Sequence, residues 1–181
     1  KEAIDTLHGN GPADFREHCL TVASHMLVVG ENTRTLVEGR KLATEALESG
    51  RAWNQFRELV INQGGDVSYV DQPDKLPAAR FVETVNSDRT AYLKWIDAKV
   101  IGETSVEMGA GRARKEDIID YGVGMVIHRK VGDHVNNGDP MFTLYASSQE
   151  SLDHARERVS SAFEYSVSPV ERLPLFYEVI Q

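Results

Sequence analysis

From Phe15 to Val29, apolar residues recur at three- and four-residue steps: Phe15, Cys19, Val22, Met26 and Val29. That spacing lines one face of an α-helix. Gly11-Pro12 marks the start, with proline at the first helical position, and Gly30 marks the stop. A second helix is expected after Thr35, with Leu36, Ala43 and Leu47 on one face and Gly50 as its stop. A third, capped by Ser49, carries Trp53, Phe56 and Val60 and ends at Gly64-Gly65. Three short amphipathic helices make a thin core, so they are expected to pack on one another and on something else.

Asp71 to Pro77 holds two prolines in seven residues, and a linker is placed at 73–77. Beyond it the period shifts toward two. Phe81, Val82 and Val85 predict a strand, and Tyr92, Leu93, Trp95 and Ile96 another. Ala98 to Glu107 reads as a short helix, Gly122 to His128 as an apolar strand, and Met141 to Tyr145 as a third clear strand. Between the last two, Val131 to Gly138 alternates and turns at Asn136-Asn137-Gly138, which suits a positive φ. Ser151 to Phe163 returns to helix, with Leu152, Ala155, Val159 and Ala162 on one face, and Leu175 to Ile180 reads as a closing strand. Helices followed by a β-rich unit with inserted helices make the expected class α+β.

Composition narrows the function classes. The 181 residues are 41% hydrophobic, enough for one ordinary core or two small ones. A net charge of −8 argues against nucleic acid or an anionic membrane as the main partner. No apolar run approaches the roughly 18 residues of a membrane helix. Lys1 to Asp5 is charged and mixed, unlike a signal peptide. The single cysteine, Cys19, cannot form an internal disulfide and fits a reducing compartment such as the cytoplasm. The chain opens on Lys1 inside a helical pattern, which reads as a truncated or processed start.

The densest candidate chemistry lies between Met108 and Gly124. Gly109-Ala-Gly111 leads into Arg112, Arg114 and Lys115, then into Glu116, Asp117 and Asp120. Backbone amides and cations converging on a glycine turn can hold an anion. Equally, the turn can be structural, its cations paired with its own acids. It matches no Walker or Rossmann pattern. The six histidines (8, 18, 25, 128, 134 and 154) show no His-Glu-x-x-His spacing, and one cysteine cannot complete a zinc site with them, so no metal ligand is assigned. Cys19 lies on the apolar face of its helix and reads as a buried, inert thiol. Trp53 and Phe56 read as core. No serine stands in a Gly-x-Ser-x-Gly elbow.

Met108 to Gly124, together with Val131-Gly-Asp-His-Val-Asn-Asn-Gly-Asp-Pro140, closely resembles the C-terminal domain of pyrimidine-nucleoside and thymidine phosphorylases. Lys1 to Asp14 is similar to the family's segment after its central glycine- and asparagine-containing turn, and Gln63-Gly-Gly-Asp66 to the turn ending its third such helix. The resemblance covers nearly the whole chain. It implies the helical tail of a central α/β domain at 1–72, the linker at 73–77, and a C-terminal α+β lobe resembling a barrel-sandwich hybrid at 78–181.

The implied reaction of the full-length enzyme is reversible phosphorolysis: a pyrimidine nucleoside (uridine, thymidine or deoxyuridine) plus inorganic phosphate gives base and pentose 1-phosphate, in pyrimidine salvage, by a protein that is a homodimer. In the family, phosphate sits in a Lys-His-Ser-Thr-Gly-Gly loop, and the base meets an Arg, Ser and Lys set in the N-terminal half. Neither motif occurs in these 181 residues. No catalytic or substrate-binding residue is therefore carried over, no cofactor is assigned, and this chain alone is expected to be inactive. Gly109, Gly111, Arg112, Arg114 and Lys115 remain as a loop near the site or a hinge. Anthranilate phosphoribosyltransferase relatives share the core without this lobe. A different reading is a free-standing biotinyl- or lipoyl-like binding module, which Val131 to Tyr145 also resembles. Such modules carry a lysine in the turn after that strand, and here Ala146-Ser-Ser-Gln-Glu150 has none.

Overall fold

The structure, a computed structural model, describes residues 1–112 and 114–180. The fold is α+β. It divides into two compact units: Lys1–Leu76 together with the residues from Leu175 onward, and Pro77–Pro174.

The first unit is helical: α1 Glu2–Leu7, α2 Ala13–Val29, α3 Leu36–Glu48, α4 Arg51–Asn62 and α5 Ser68–Asp71. Thr35 starts α3 with a reciprocal cap. Its hydroxyl accepts from the Glu38 N–H, and the Glu38 carboxylate accepts from the Thr35 N–H, each at 3.2 Å. Ser49 does not cap α4; it is the last residue of the α3 turn. Gly50 is the N-cap instead, at φ +76. Only two residues separate α3 from α4, and reversing the chain that quickly requires the left-handed region that glycine tolerates. Pro12 sits at the N-cap of α2, one place before the first helical position.

The buried face of α2 is not the expected stripe. Leu20 and Ser24 are buried, while Cys19 is exposed and Met26 and Val29 are 68% and 84% exposed. The cause is Gly39 on α3. A Cβ there would lie 2.8 Å from the Ser24 carbonyl oxygen, so the two helices approach closest at that point. The Ser24 hydroxyl satisfies itself on the Leu20 carbonyl at 2.5 Å. A small-residue crossing at Ser24 turns Met26 and Val29 away from α3. Trp53 and Phe56 are half-buried, with Trp53 against His8 at 4.2 Å between ring centroids. An apolar groove of about 580 Å³ remains open among these helices, walled by Leu7, Phe15, Leu20, Leu27, Leu47 and Phe56. Residues 175–180 form no strand. They lie against α2 through side chains, in a unit that holds no strand among its described residues.

The second unit holds β1 Phe81–Asn86, β2 Ala91–Ile96, α6 Ala98–Ser105, β3 Gly124–Ile127, β4 His134–Val135, β5 Pro140–Ala146, α7 Gln149–Ser161 and β6 Phe163–Ser166. Two antiparallel sheets form, ordered β1-β5-β3 and β4-β2-β6. The short β6 was not apparent from the pattern, because four residues directly after a helix give too little alternation to read. Gly138 takes φ +91 in the turn before β5. Ser148 caps α7 by accepting from the Ser151 N–H at 3.1 Å. The α7 stripe of Leu152, Ala155, Val159 and Ala162 is at most 5% exposed and joins Leu93, Val135, Phe142, Leu144 and Phe163 from both sheets in one core. Phe142 and Phe163 stack at 5.7 Å.

This core lies wholly within Pro77–Pro174. That segment expressed alone should give a dispersed amide NMR spectrum; a collapsed spectrum would show that it needs the helices. A second expectation concerns pH. Arg40 of α3 forks onto Glu17 of α2 with two contacts of 2.6 Å. This hydrogen bonding holds the half-exposed Glu17 carboxyl down at about 2, against an ordinary 4.5. Because the folded value is the lower one, the pair's stabilisation is present above the ordinary value and is lost as pH falls toward the folded value. Glu17→Gln should be modestly less stable than wild type near neutrality, with the difference vanishing as urea titrations are taken down to about pH 2.

Candidate functional site

β2 hands the chain to α6 through Asp97. Its carboxylate accepts from the Lys99 and Val100 N–H groups at 2.9 and 3.2 Å. After α6 the helix widens into the turn Val106–Ala110. Met108 plugs this turn into the core at 5% exposure. Outside the core, Glu107 receives Arg158 at 3.2 Å and His154 at 3.1 Å from α7, and Arg158 also reaches Glu103 at 3.3 Å. The turn is therefore fixed from inside by an apolar anchor and from outside by α7.

Gly109 follows at φ +101, where an L side chain is strained. Gly111 has ordinary extended backbone, but a Cβ there would lie 2.9 Å from the Val106 side chain. Arg112, Arg114 and Lys115 are exposed. Ala113, within the same loop, lies outside the described residues. The acids that follow act on the backbone. The Asp117 carboxylate accepts from the Arg114 N–H at 2.7 Å, and the Asp117 N–H donates back to the Arg114 carbonyl at 3.1 Å. The Asp120 N–H donates to the Gly109 carbonyl at 2.9 Å, and its carboxylate accepts from the Gly122 N–H at 2.9 Å. Asp120 thus pins both ends of the loop.

The base of the loop touches the start of its own unit. A Cβ on Gly122 would lie 3.2 Å from the Ala78 carbonyl carbon. Neither this close approach nor the Met108 and Glu107 anchors was visible in the sequence, where only the glycine spacing hinted at tight geometry. The histidines are dispersed. His18 stacks on Phe176, His134 meets Tyr92 edge-on, and His128 Nε2 lies 2.8 Å from the Thr143 hydroxyl. Among the described residues no three of His, Cys, Asp and Glu gather as a metal site. Chemically, the unit presents one cationic loop with fixed ends.

Residues 92–166, from β2 to the end of β6, match the family model of the pyrimidine nucleoside phosphorylase C-terminal domain. The pyrimidine-nucleoside phosphorylase of Geobacillus stearothermophilus is 39% identical over 180 residues, 99% of this chain and 41% of that protein. Those of Staphylococcus epidermidis and Bacillus subtilis are 44% and 43% identical, over 84% and 88% of this chain and 35% and 36% of theirs. Along most of its length the chain is similar to pyrimidine-nucleoside phosphorylases. It spans about two fifths of the length of the curated relatives it matches, and the matched part is their C-terminal portion. The matched segment 92–166 contains the whole cationic loop together with the Val106–Ala110 turn and α7. No helix among the described residues is long and apolar enough to cross a membrane.

The two loop glycines should respond differently to substitution. Gly109→Ala places a side chain at positive φ and should cost about 1–2 kcal/mol in urea denaturation. Gly111→Ala should cost less, because its backbone is ordinary and only the Val106 side chain has to move. Equal losses would contradict the conformational account of Gly109.

Proposed function

We propose that this chain is the C-terminal portion of a pyrimidine-nucleoside phosphorylase. The full-length enzyme, a cytoplasmic pentosyltransferase of pyrimidine salvage and a homodimer, would convert a pyrimidine nucleoside and inorganic phosphate into base and pentose 1-phosphate. The observation that carries this reading is the match along 99% of the chain to the C-terminal portion of such a protein. Two features support it. The apolar groove of the helical unit suits helices that cover a larger α/β core. The phosphate and base motifs implied by the resemblance are missing from the 181 residues.

Phosphorolysis develops positive charge on the sugar and needs phosphate fixed on one face with the pyrimidine carbonyls polarised on the other. One cationic loop supplies at most half of that arrangement. By itself the chain should therefore be inactive. The loop would act on closure or on packing of the lobe, because Asp117 and Asp120 hold its backbone and Gly122 seats it against Ala78. The carrier-module reading is not favoured: β5 runs straight into the Ser148-capped α7, where a carrier domain would present its lysine turn.

Incubated with phosphate and uridine or thymidine, the chain should release no free base above the uncatalysed rate; turnover that survives repurification would overturn the reading. In the full-length enzyme, Arg112→Ala and Arg114→Ala should shift stability or both kinetic constants modestly. A selective loss of phosphate affinity on the order of tenfold, with folding unchanged, would make the loop a direct phosphate ligand.

A further inference from the structure

The helical unit is discontinuous. It takes in Lys1–Leu76, releases the chain for the whole of Pro77–Pro174, and regains it from Leu175. The described residues 175–180 are held on α2, which lies far away in sequence. The Phe176 ring stacks on His18 with centroids 5.4 Å apart and planes within 9°. Phe176, Glu178 and Val179 also wall an apolar groove with Val22, Met26 and Val29, the α2 residues that α3 leaves uncovered. Phe176 is 38% exposed, whereas Ile180 is 91% exposed and takes no part.

The segment is equally fixed before it leaves the β-rich unit. The Arg172 guanidinium donates to Asp133 at 2.8 Å. Gly132, at φ +89, lies so close that a Cβ would meet the Arg172 backbone nitrogen at 2.9 Å. A proline stands on the β-rich side of both crossings, Leu76-Pro77 and Pro174-Leu175. Proline fixes its own φ and holds the preceding residue extended, so the chain leaves each unit stiffly.

We propose that residues 175–180 are a strap. Docked on α2, they attach the β-rich unit to the helical unit at two points; released, they leave it on the Leu76-Pro77 connection alone. Ring stacking and apolar contact hold the strap, without a covalent bond, so it can open locally while the rest of the chain stays folded. The strap concerns the chain itself and does not depend on the phosphorolysis reading.

Hydrogen exchange on the whole chain tests it, comparing wild type with a chain ending at Pro174, with Phe176→Ala and with Ile180→Ala. In the first two variants the α2 amides from His18 to Val29 should exchange about tenfold faster, while β5 and α7 keep their protection. Ile180→Ala should match wild type. If the shortened chain fails to fold, Phe176→Ala decides. Unchanged α2 exchange in Phe176→Ala, or a rise shared equally by β5, overturns the proposal.

Discussion

Everything in the β-rich unit depends on the apolar stripe of α7. Neither three-stranded sheet has a second layer of its own, and small sheets need a helix or another sheet over their apolar face. α7 supplies that cover for both. Leu152, Ala155, Val159 and Ala162 are nearly or fully buried among residues of β2, β4, β5 and β6. A fully buried aliphatic side chain is worth roughly 1.5–3 kcal/mol, so the stripe is a large share of what holds a unit this size together. The ends of the helix also serve the site. The Ala162 carbonyl accepts from the Asp97 N–H at 2.8 Å, and Asp97 is the residue that caps α6. Arg158 then ties α7 to Glu103 and Glu107. The cationic loop is placed by a helix that contributes nothing to its charge.

The loop shows how acids can serve geometry before charge. Asp117 and Asp120 each accept a backbone N–H, and Asp120 also donates its own N–H to Gly109. These bonds close a wide excursion at its neck and leave Arg112, Arg114 and Lys115 exposed at its rim. A neck closed by backbone bonds and seated on Ala78 behaves as one piece with the start of its unit. That is a positioning role, and it fits a lobe whose chemistry is completed elsewhere.

The helical unit follows a different rule. Its main crossing is set by absence of side chain, Gly39 against Ser24, and the larger apolar residues of α2 are left to other partners. Phe176 and Val179 take some of that surface. The groove around Phe15, Leu27 and Phe56 stays open.

The sequence by itself determined the features whose chemistry is local. The Thr35–Glu38 cap, the positive φ at Gly138, the α7 stripe and the motifs that carry the family resemblance are written in residues a few places apart. What only the tertiary structure decided depends on residues far apart. Periodicity marked Cys19, Met26 and Val29 as core, but a glycine on another helix moved the contact to Leu20 and Ser24. The order of residues suggested Arg–Asp pairing in the loop; the structure adds that Asp117 and Asp120 accept backbone amides, which residue order could not show. Residues 175–180 have strand-like composition, yet they join a helical unit, where the Phe176 ring stacks on His18. Period and capping report what a segment prefers in isolation, while burial is settled by whichever distant side chain, or missing side chain, lets two elements approach.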